Sequence, residues 1–155
     1  MTPPASYDSQ SVMTDAHDWN STLAGILAEF GCQTGTIHQS EDGKNLTLVC
    51  QIGVPDALLD KVNFIPFGKG IAGAAAERME AVELCNLQQD LGGVAKPDAR
   101  QTGVSGSVAV PIFSPSTKAV IGTLGIGKFK PHEFSPAELA RLHEISRQLA
   151  PRFLA

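Results

Sequence analysis

The chain has 155 residues, 43% of them hydrophobic and 18% charged. That length predicts one domain with a single core that folds without a metal or disulfide staple. A formal net charge of -4 excludes a broad basic field for nucleic acid or an anionic membrane surface.

Six acids and no base precede Lys44, so the acidic excess belongs to the first 43 residues. We read it as the solvated face of an N-terminal helix. Residues 1–14 are polar and contain proline, which predicts a loose tail; residues 15–155 form the domain. The helix begins after Thr14 or Asp15 as N-cap. Trp19, Leu23, Ile26, Leu27 and Phe30 fall on one apolar stripe, and Gly31 stops the helix. Two strands follow, "CQTGTIHQ" and "NLTLVCQIG", joined through Asp42-Gly43, a hairpin signal. "PDALLDKV" reads as a short helix with Pro55 suited to its first turn. "NFIPF" is a short strand, "GIAGAAAERM" a helix and "AVELCNL" another strand.

Residues 88–103 form a long polar loop, a kind of segment that often carries function. "VSGSVAVPIFS" and "VIGTLGIGKF" make a second hairpin around "PSTKA". The last helix opens with Ser135, Pro136 and Glu138, a capping box with a preset first turn. Leu139, Leu142, Ile145 and Leu149 form its apolar stripe, and Pro151 ends or kinks it. Two hairpins with helices at both chain ends predict an α+β fold, with an antiparallel sheet covered on one face by the terminal helices.

Gly68, Gly70 and Gly73 spell a literal GxGxxG. A dinucleotide site requires a central parallel strand before the glycines and a βαβ unit around them. Pro66 makes the preceding strand a poor central one, and the downstream strands form hairpins. The glycines therefore predict a tight strand-to-helix turn, not a nicotinamide site.

"FIPFGKGIAGAAAERMEAVELCNLQQD" and "SVAVPIFSPSTKAVIGTLGIGKFKPHEFSPAELARLHEISRQLA" together resemble the GAF domain family. The elements that carry the resemblance run in order. They are Gly68 to Ala74, Val82 to Asn86, Ser107 to Pro111, Ile121 to Leu124 and Phe134 to Glu138. The resemblance implies a profilin-like antiparallel sheet of about six strands with terminal helices on one face. A pocket beside short helices and a loop lies on the other face. It further implies a non-catalytic sensory domain that binds a small molecule and relays a signal to a partner signalling protein. The alternative is a dimerisation or interaction module without ligand. GAF-like domains often pair through their terminal helices, and Ile26, Leu27 and Leu149 are the expected homodimer contacts.

The enzymatic branch of that family, the free methionine-R-sulfoxide reductases, carries cysteines in the glycine turn and the variable loop, plus pocket carboxylates. Here the turn position is Ala72, loop 88–103 lacks cysteine, and the aligned carboxylate positions are Ser107, Gly125 and Gly127. The resemblance to that branch therefore implies no reductase chemistry.

Period-two alternation puts Val108, Val110, Ile112, Leu124 and Ile126 on one face of the second hairpin. Ser105, Ser107, Ala109, Thr123, Gly125 and Gly127 share the other. The first face suits packing under helices; the second either leaves room for a ligand or admits a helix packed closely over its small residues. Candidate ligand-binding residues are Ser105, Ser107, Thr123 and Gly125 on the floor, Cys85 at the end of a strand, and Asp90, Lys96 and Arg100 in the loop. Arg100, or Lys96, is the expected anion partner, since a guanidinium fork matches carboxylate and phosphate. Cys85, Cys32 and Cys50 are an odd set without CxxC spacing, and the four histidines lack metal-ligand spacing, so no metal is expected. Cys32 and Cys50 are read as core residues of the first hairpin, and His38 as a half-exposed strand residue rather than a haem ligand. The cofactor is unknown from sequence. The start lacks the basic and apolar regions of a signal peptide, and no apolar run nears the roughly 18 residues of a membrane span. These features predict a cytoplasmic protein with no membrane partner.

Overall fold

The computed structural model describes residues 16–84 and 105–153. Helix α1 spans Ala16–Phe30. Its predicted stripe is its buried face: Trp19, Leu23, Ile26, Leu27 and Phe30 are all buried. The helix closes on Gly31, at φ +66°. The Cys32 amide returns to the Leu27 carbonyl at 2.9 Å and the Gly31 amide to Ala28 at 3.4 Å, which makes a Schellman end. The N-cap residues Thr14 and Asp15 and the tail 1–14 lie outside the described residues.

Strands β1 (Thr34–Gln39) and β2 (Asn45–Ile52) form the first hairpin. Its turn is held by Asp42, whose carboxylate accepts the Lys44 and Asn45 amides at 2.8 and 2.9 Å and the Asn45 side chain at 2.9 Å. Those donors, the Asn45 side chain first, hold the Asp42 carboxyl down to about 2. Cys32 precedes β1 and is not part of the hairpin. After β2, a 3-10 turn at Asp56–Leu58, with Pro55 immediately before it, runs into the one-turn helix α2 (Leu59–Val62). Strand β3 (Phe64–Pro66) pairs with the outer side of β2. An edge strand tolerates Pro66, which has no amide to donate.

Helix α3 spans Gly70–Arg78, and β4 spans Val82–Leu84. Gly68 (φ +91°) and Gly70 (φ +62°) make the turn into α3. Gly73 serves proximity instead: a Cβ there would sit 2.6 Å from the Pro66 carbonyl oxygen. The sequence expectation of a strand-to-helix turn holds, and each glycine has its own reason.

Strands β5 (Gly106–Phe113) and β6 (Val120–Lys128) form the second hairpin. Helix α4 (Pro136–Phe153) follows. Its cap is reciprocal: the Ser135 amide donates to Glu138 Oε1 at 2.8 Å and the Glu138 amide to Ser135 Oγ at 3.1 Å. Pro151 does not end α4, which runs on to Phe153. A proline in the last turn removes one ladder bond, and tertiary contacts keep the remainder helical. Phe153 stacks on Trp19 at 5.2 Å, while the Arg152 guanidinium lies 3.9 Å over the Trp19 ring and donates to Thr22 Oγ1 at 2.8 Å.

The six strands form one antiparallel sheet in the order β3-β2-β1-β6-β5-β4. Helices α1 and α4 lie together on one face, bridged at their solvent side by Arg141 to Glu29 at 2.7 Å. Beneath them Ile37, Val108, Val110, Ile112, Leu124 and Ile126 join the helix stripes in one core. Ile26, Leu27 and Leu149 are 2%, 5% and 4% exposed inside that core, so the expectation that they touch a second copy is corrected. Their apolar surface is already used within the protomer.

Leu23 is fully buried against this face, so Leu23→Ala should cost about 2–5 kcal/mol in denaturant unfolding. Ala28→Glu, on the exposed side of the same helix, should change stability by no more than about 0.5 kcal/mol.

Candidate functional site

On the sheet face away from α1 and α4, side chains at the centre are small, and a cavity of about 300 Å³ opens there. Its floor is Thr34, Thr36 and His38 of β1, Ser107 and Ala109 of β5, and Gly125 of β6. The register explains the hollow. Thr36, Gly125 and Ala109 stand side by side across three strands, and Thr34, Gly127 and Ser107 form the next row. A Cβ built on Gly125 would meet only Thr36 Oγ1 at 3.2 Å and the Val108 carbonyl at 3.9 Å.

Two walls close the sides. Val54, Leu58, Lys61 and Val62 come from the segment that enters and forms α2. Lys69, Gly70, Ile71 and Ala72 come from the start of α3. No side chain caps α3, so its first amides are available at the wall, where the helix dipole favours negative charge. The lining contains two lysines and, among the described residues, no carboxylate. The site is therefore an apolar cleft with lysine side chains and the start of a helix at its edge.

The sequence-derived candidates divide into three groups. Ser107 and Gly125 line the cavity. Ser105 and Thr123 are buried, at 7% and 0% exposed, but are not among the lining residues. Ser105 instead donates its amide to the Lys128 carbonyl at 2.7 Å, and Ser107 Oγ donates to the Ile126 carbonyl at 3.3 Å. Cys85, Asp90, Lys96 and Arg100, with loop 88–103, lie outside the described residues. Sequence reasoning missed the β1 and α2 contributions: Thr34, Thr36, His38, Lys61 and Val62. Alternation in "TGTIHQ" places Thr34, Thr36 and His38 on one face, but it does not say that β1 adjoins β6.

His38 corrects one expectation directly. It is 1% exposed rather than half-exposed. Its Nε2 donates to the Val62 carbonyl at 2.8 Å, which ties the sheet to α2. Burial holds its pKa below the ordinary value of 6.5, with the Val62 bond acting in the opposite sense. Neither Cys32 nor Cys50 lines the cavity, and burial pushes each thiol up to about 11. Both are protonated near neutrality and are poor nucleophiles. Among the described residues no cluster of His, Cys, Asp or Glu has metal-binding geometry, and no helix is long and apolar enough to cross a membrane.

Because His38 stays neutral in the folded state, the unfolded chain takes up its proton first as pH falls below about 6.5. Stability should therefore decline from pH 7 toward pH 5, by at most about 1.4 kcal/mol per pH unit from this one group. Thermal melts at stepped pH should show this decline, and His38→Phe should flatten it.

The GAF domain of a phosphoenolpyruvate-protein phosphotransferase from Acinetobacter is similar in structure. It has 17% identity and a TM-score of 0.73, with 94% of this chain and 87% of that chain covered. A free methionine-R-sulfoxide reductase from Neisseria meningitidis, solved with its substrate, shares 23% identity at a TM-score of 0.71, covering 91% and 79%. A domain of a two-component sensor histidine kinase protein from Sinorhizobium meliloti 1021, itself described as putative, shares 16% at 0.67, covering 88% of each. No curated protein matches this sequence. At these identities the structural likenesses speak for the fold alone. The family match is separate and broad: the GAF domain pattern covers residues 14–151, and this chain belongs to the GAF domain family.

Proposed function

We propose that this chain is a non-catalytic sensory GAF domain that binds a compact small molecule in the cavity over β1, β6 and β5, and relays its occupancy to a partner chain or a second copy. The observation that carries the reading is the cavity itself, about 300 Å³ of mainly apolar space with a few convergent hydroxyls. Apolar clefts with a few placed polar groups are the usual form of small-molecule sites. The uncapped start of α3 and Lys69, which precedes it, favour a ligand with an acidic group at the rim. The α2 segment is a suitable relay, since it lines the cavity and is tied to the sheet by the His38–Val62 bond.

The absence of enzymatic turnover belongs to the same reading. A thiol-dependent reductase requires a nucleophilic thiolate near substrate. The two described cysteines lie off the cavity with raised pKa values, and the glycine-turn position is Ala72. Incubation with thioredoxin, NADPH and free methionine sulfoxide should give no steady NADPH oxidation. Turnover that disappears in Cys85→Ser would overturn this part.

A thermal-shift screen with compact apolar carboxylates, benzoate and phenylacetate among them, tests the binding part. A ligand at 100 times its Kd should add about 2.7 kcal/mol of stability. Gly125→Leu places a side chain in the hollow and should abolish the shift while retaining the fold. A shift that persists unchanged in Gly125→Leu would place binding elsewhere.

A further inference from the structure

His38, which lines the cavity, and Thr123, its buried partner across the β1–β6 register, hold two polar atoms that the internal hydrogen bonds leave unfilled. The Nε2 of His38 meets a carbonyl oxygen, which only accepts, so Nε2 carries the ring proton. Burial favours the uncharged ring, and Nδ1 then presents a lone pair. That Nδ1 has no hydrogen-bond partner, although His38 lines the cavity and is only 1% exposed. Thr123 stands directly opposite His38 in the β1–β6 register. Its Oγ1 is likewise buried and without a partner. Buried polar atoms of native proteins are nearly always satisfied, so an exception on a ring that lines a cavity calls for a cause.

The geometry points to a donor-selective inner end: the cavity takes compact, largely apolar molecules that carry an O–H or N–H group, and His38 Nδ1 accepts that hydrogen. A hydroxyl and an N–H both suit, because either donates to Nδ1. An ether or an N-methyl group of similar shape brings no hydrogen and leaves the acceptor empty. This inference rests on the reading of the cavity as a small-molecule site, and it adds a specificity that the shape of the cavity does not supply. His38 is then a specificity-determining residue as well as the tie to Val62.

The test uses the full chain and two matched pairs of probes, phenol with anisole and indole with 1-methylindole. Binding is read from the amide signals of Gly35, Gly53 and Gly125, and the hydrogen bond from the ring nitrogen signals of His38. Phenol and indole should bind roughly threefold to tenfold more tightly than their methylated partners, the worth of one ordinary hydrogen bond. The Nδ1 resonance should move with phenol and not with anisole. His38→Phe should bind phenol and anisole alike. Thr123→Val, close in shape to the original, should still prefer phenol. If His38→Phe does not fold, the Nδ1 resonance of the unsubstituted protein decides. Equal binding within each pair overturns the inference while leaving the cavity a binding site. So does a preference that survives in His38→Phe, or an Nδ1 bonded to the Thr123 hydroxyl with phenol present. If none of the four probes moves any cavity amide, the small-molecule reading falls and the inference falls with it.

Discussion

The register of β1 against β6, and of β6 against β5, constrains the whole molecule. On one face these strands align Ile37, Leu124 and Val110 in a row, with Ile126 and Val108 in the next beside Gly35. On the other face the same strands align Thr36, Gly125 and Ala109, and then Thr34, Gly127 and Ser107. Side chains alternate strictly along a strand, so a slip of one residue in either pairing would exchange these rows. It would put glycine and serine under the helices and leucine and valine in the cavity. The large residues lock the register because they alone satisfy the apolar stripes of α1 and α4. The cavity is the other side of that requirement.

Gly35 shows how close the fit is on the packed face. A Cβ there would lie 2.8 Å from Leu27 and 3.0 Å from Leu23, so α1 sits as near to β1 as a bare backbone allows. A Cβ on Gly125, one strand away and on the opposite face, would meet no helix, only Thr36 Oγ1 at 3.2 Å and the Val108 carbonyl at 3.9 Å. Two glycines paired to neighbouring positions thus have opposite purposes. One removes a side chain to let a helix in, and the other removes a side chain to leave space. The turn into α3 adds a third use, where Gly68 and Gly70 take up positive φ and Gly73 admits the Pro66 carbonyl. A literal GxGxxG in this setting builds a wall of the site through geometry, with no phosphate cradle implied.

Much of this was legible from residues alone, and the reasons differ by element. The apolar stripes of α1 and α4 are long and periodic, and the Ser135–Glu138 box is local chemistry, so both were visible. The two-faced pattern of β5 and β6 was visible for the same reason. The β1 contribution to the cavity was not, because it depends on a pairing across more than 80 residues of chain between Thr36 and Gly125. Burial of His38 was hidden too. A strand histidine carries no local sign that a carbonyl 24 residues later will meet its ring. Pro151 misled because its local penalty is real, while the aromatic and cationic contacts of Trp19, Arg152 and Phe153 that outweigh it are tertiary. Ile26, Leu27 and Leu149 misled in the opposite way. An apolar stripe says that a face is covered, and the cover here is the protein's own sheet.

The position of His38 is costly for structure alone. A phenylalanine would fill a comparable volume in this wall without carrying two nitrogens out of water. One bond to Val62 offsets the desolvation of Nε2, but nothing internal offsets that of Nδ1, and an unfilled buried acceptor typically costs about 1–3 kcal/mol. The bond does bring something a phenylalanine lacks. It fixes the last turn of α2 to the centre of the sheet, at the one place where a short helix of four residues has few buried groups of its own. A four-residue helix has no intrinsic stability in water, so its position depends on such ties. The same ring therefore anchors one cavity wall through one nitrogen and keeps the other buried without a partner. Any group that engages Nδ1 polarises the ring and strengthens or strains the Nε2 bond. Under the proposed function, that bond is the route by which a group at the ring would be felt by a marginal helix at the surface.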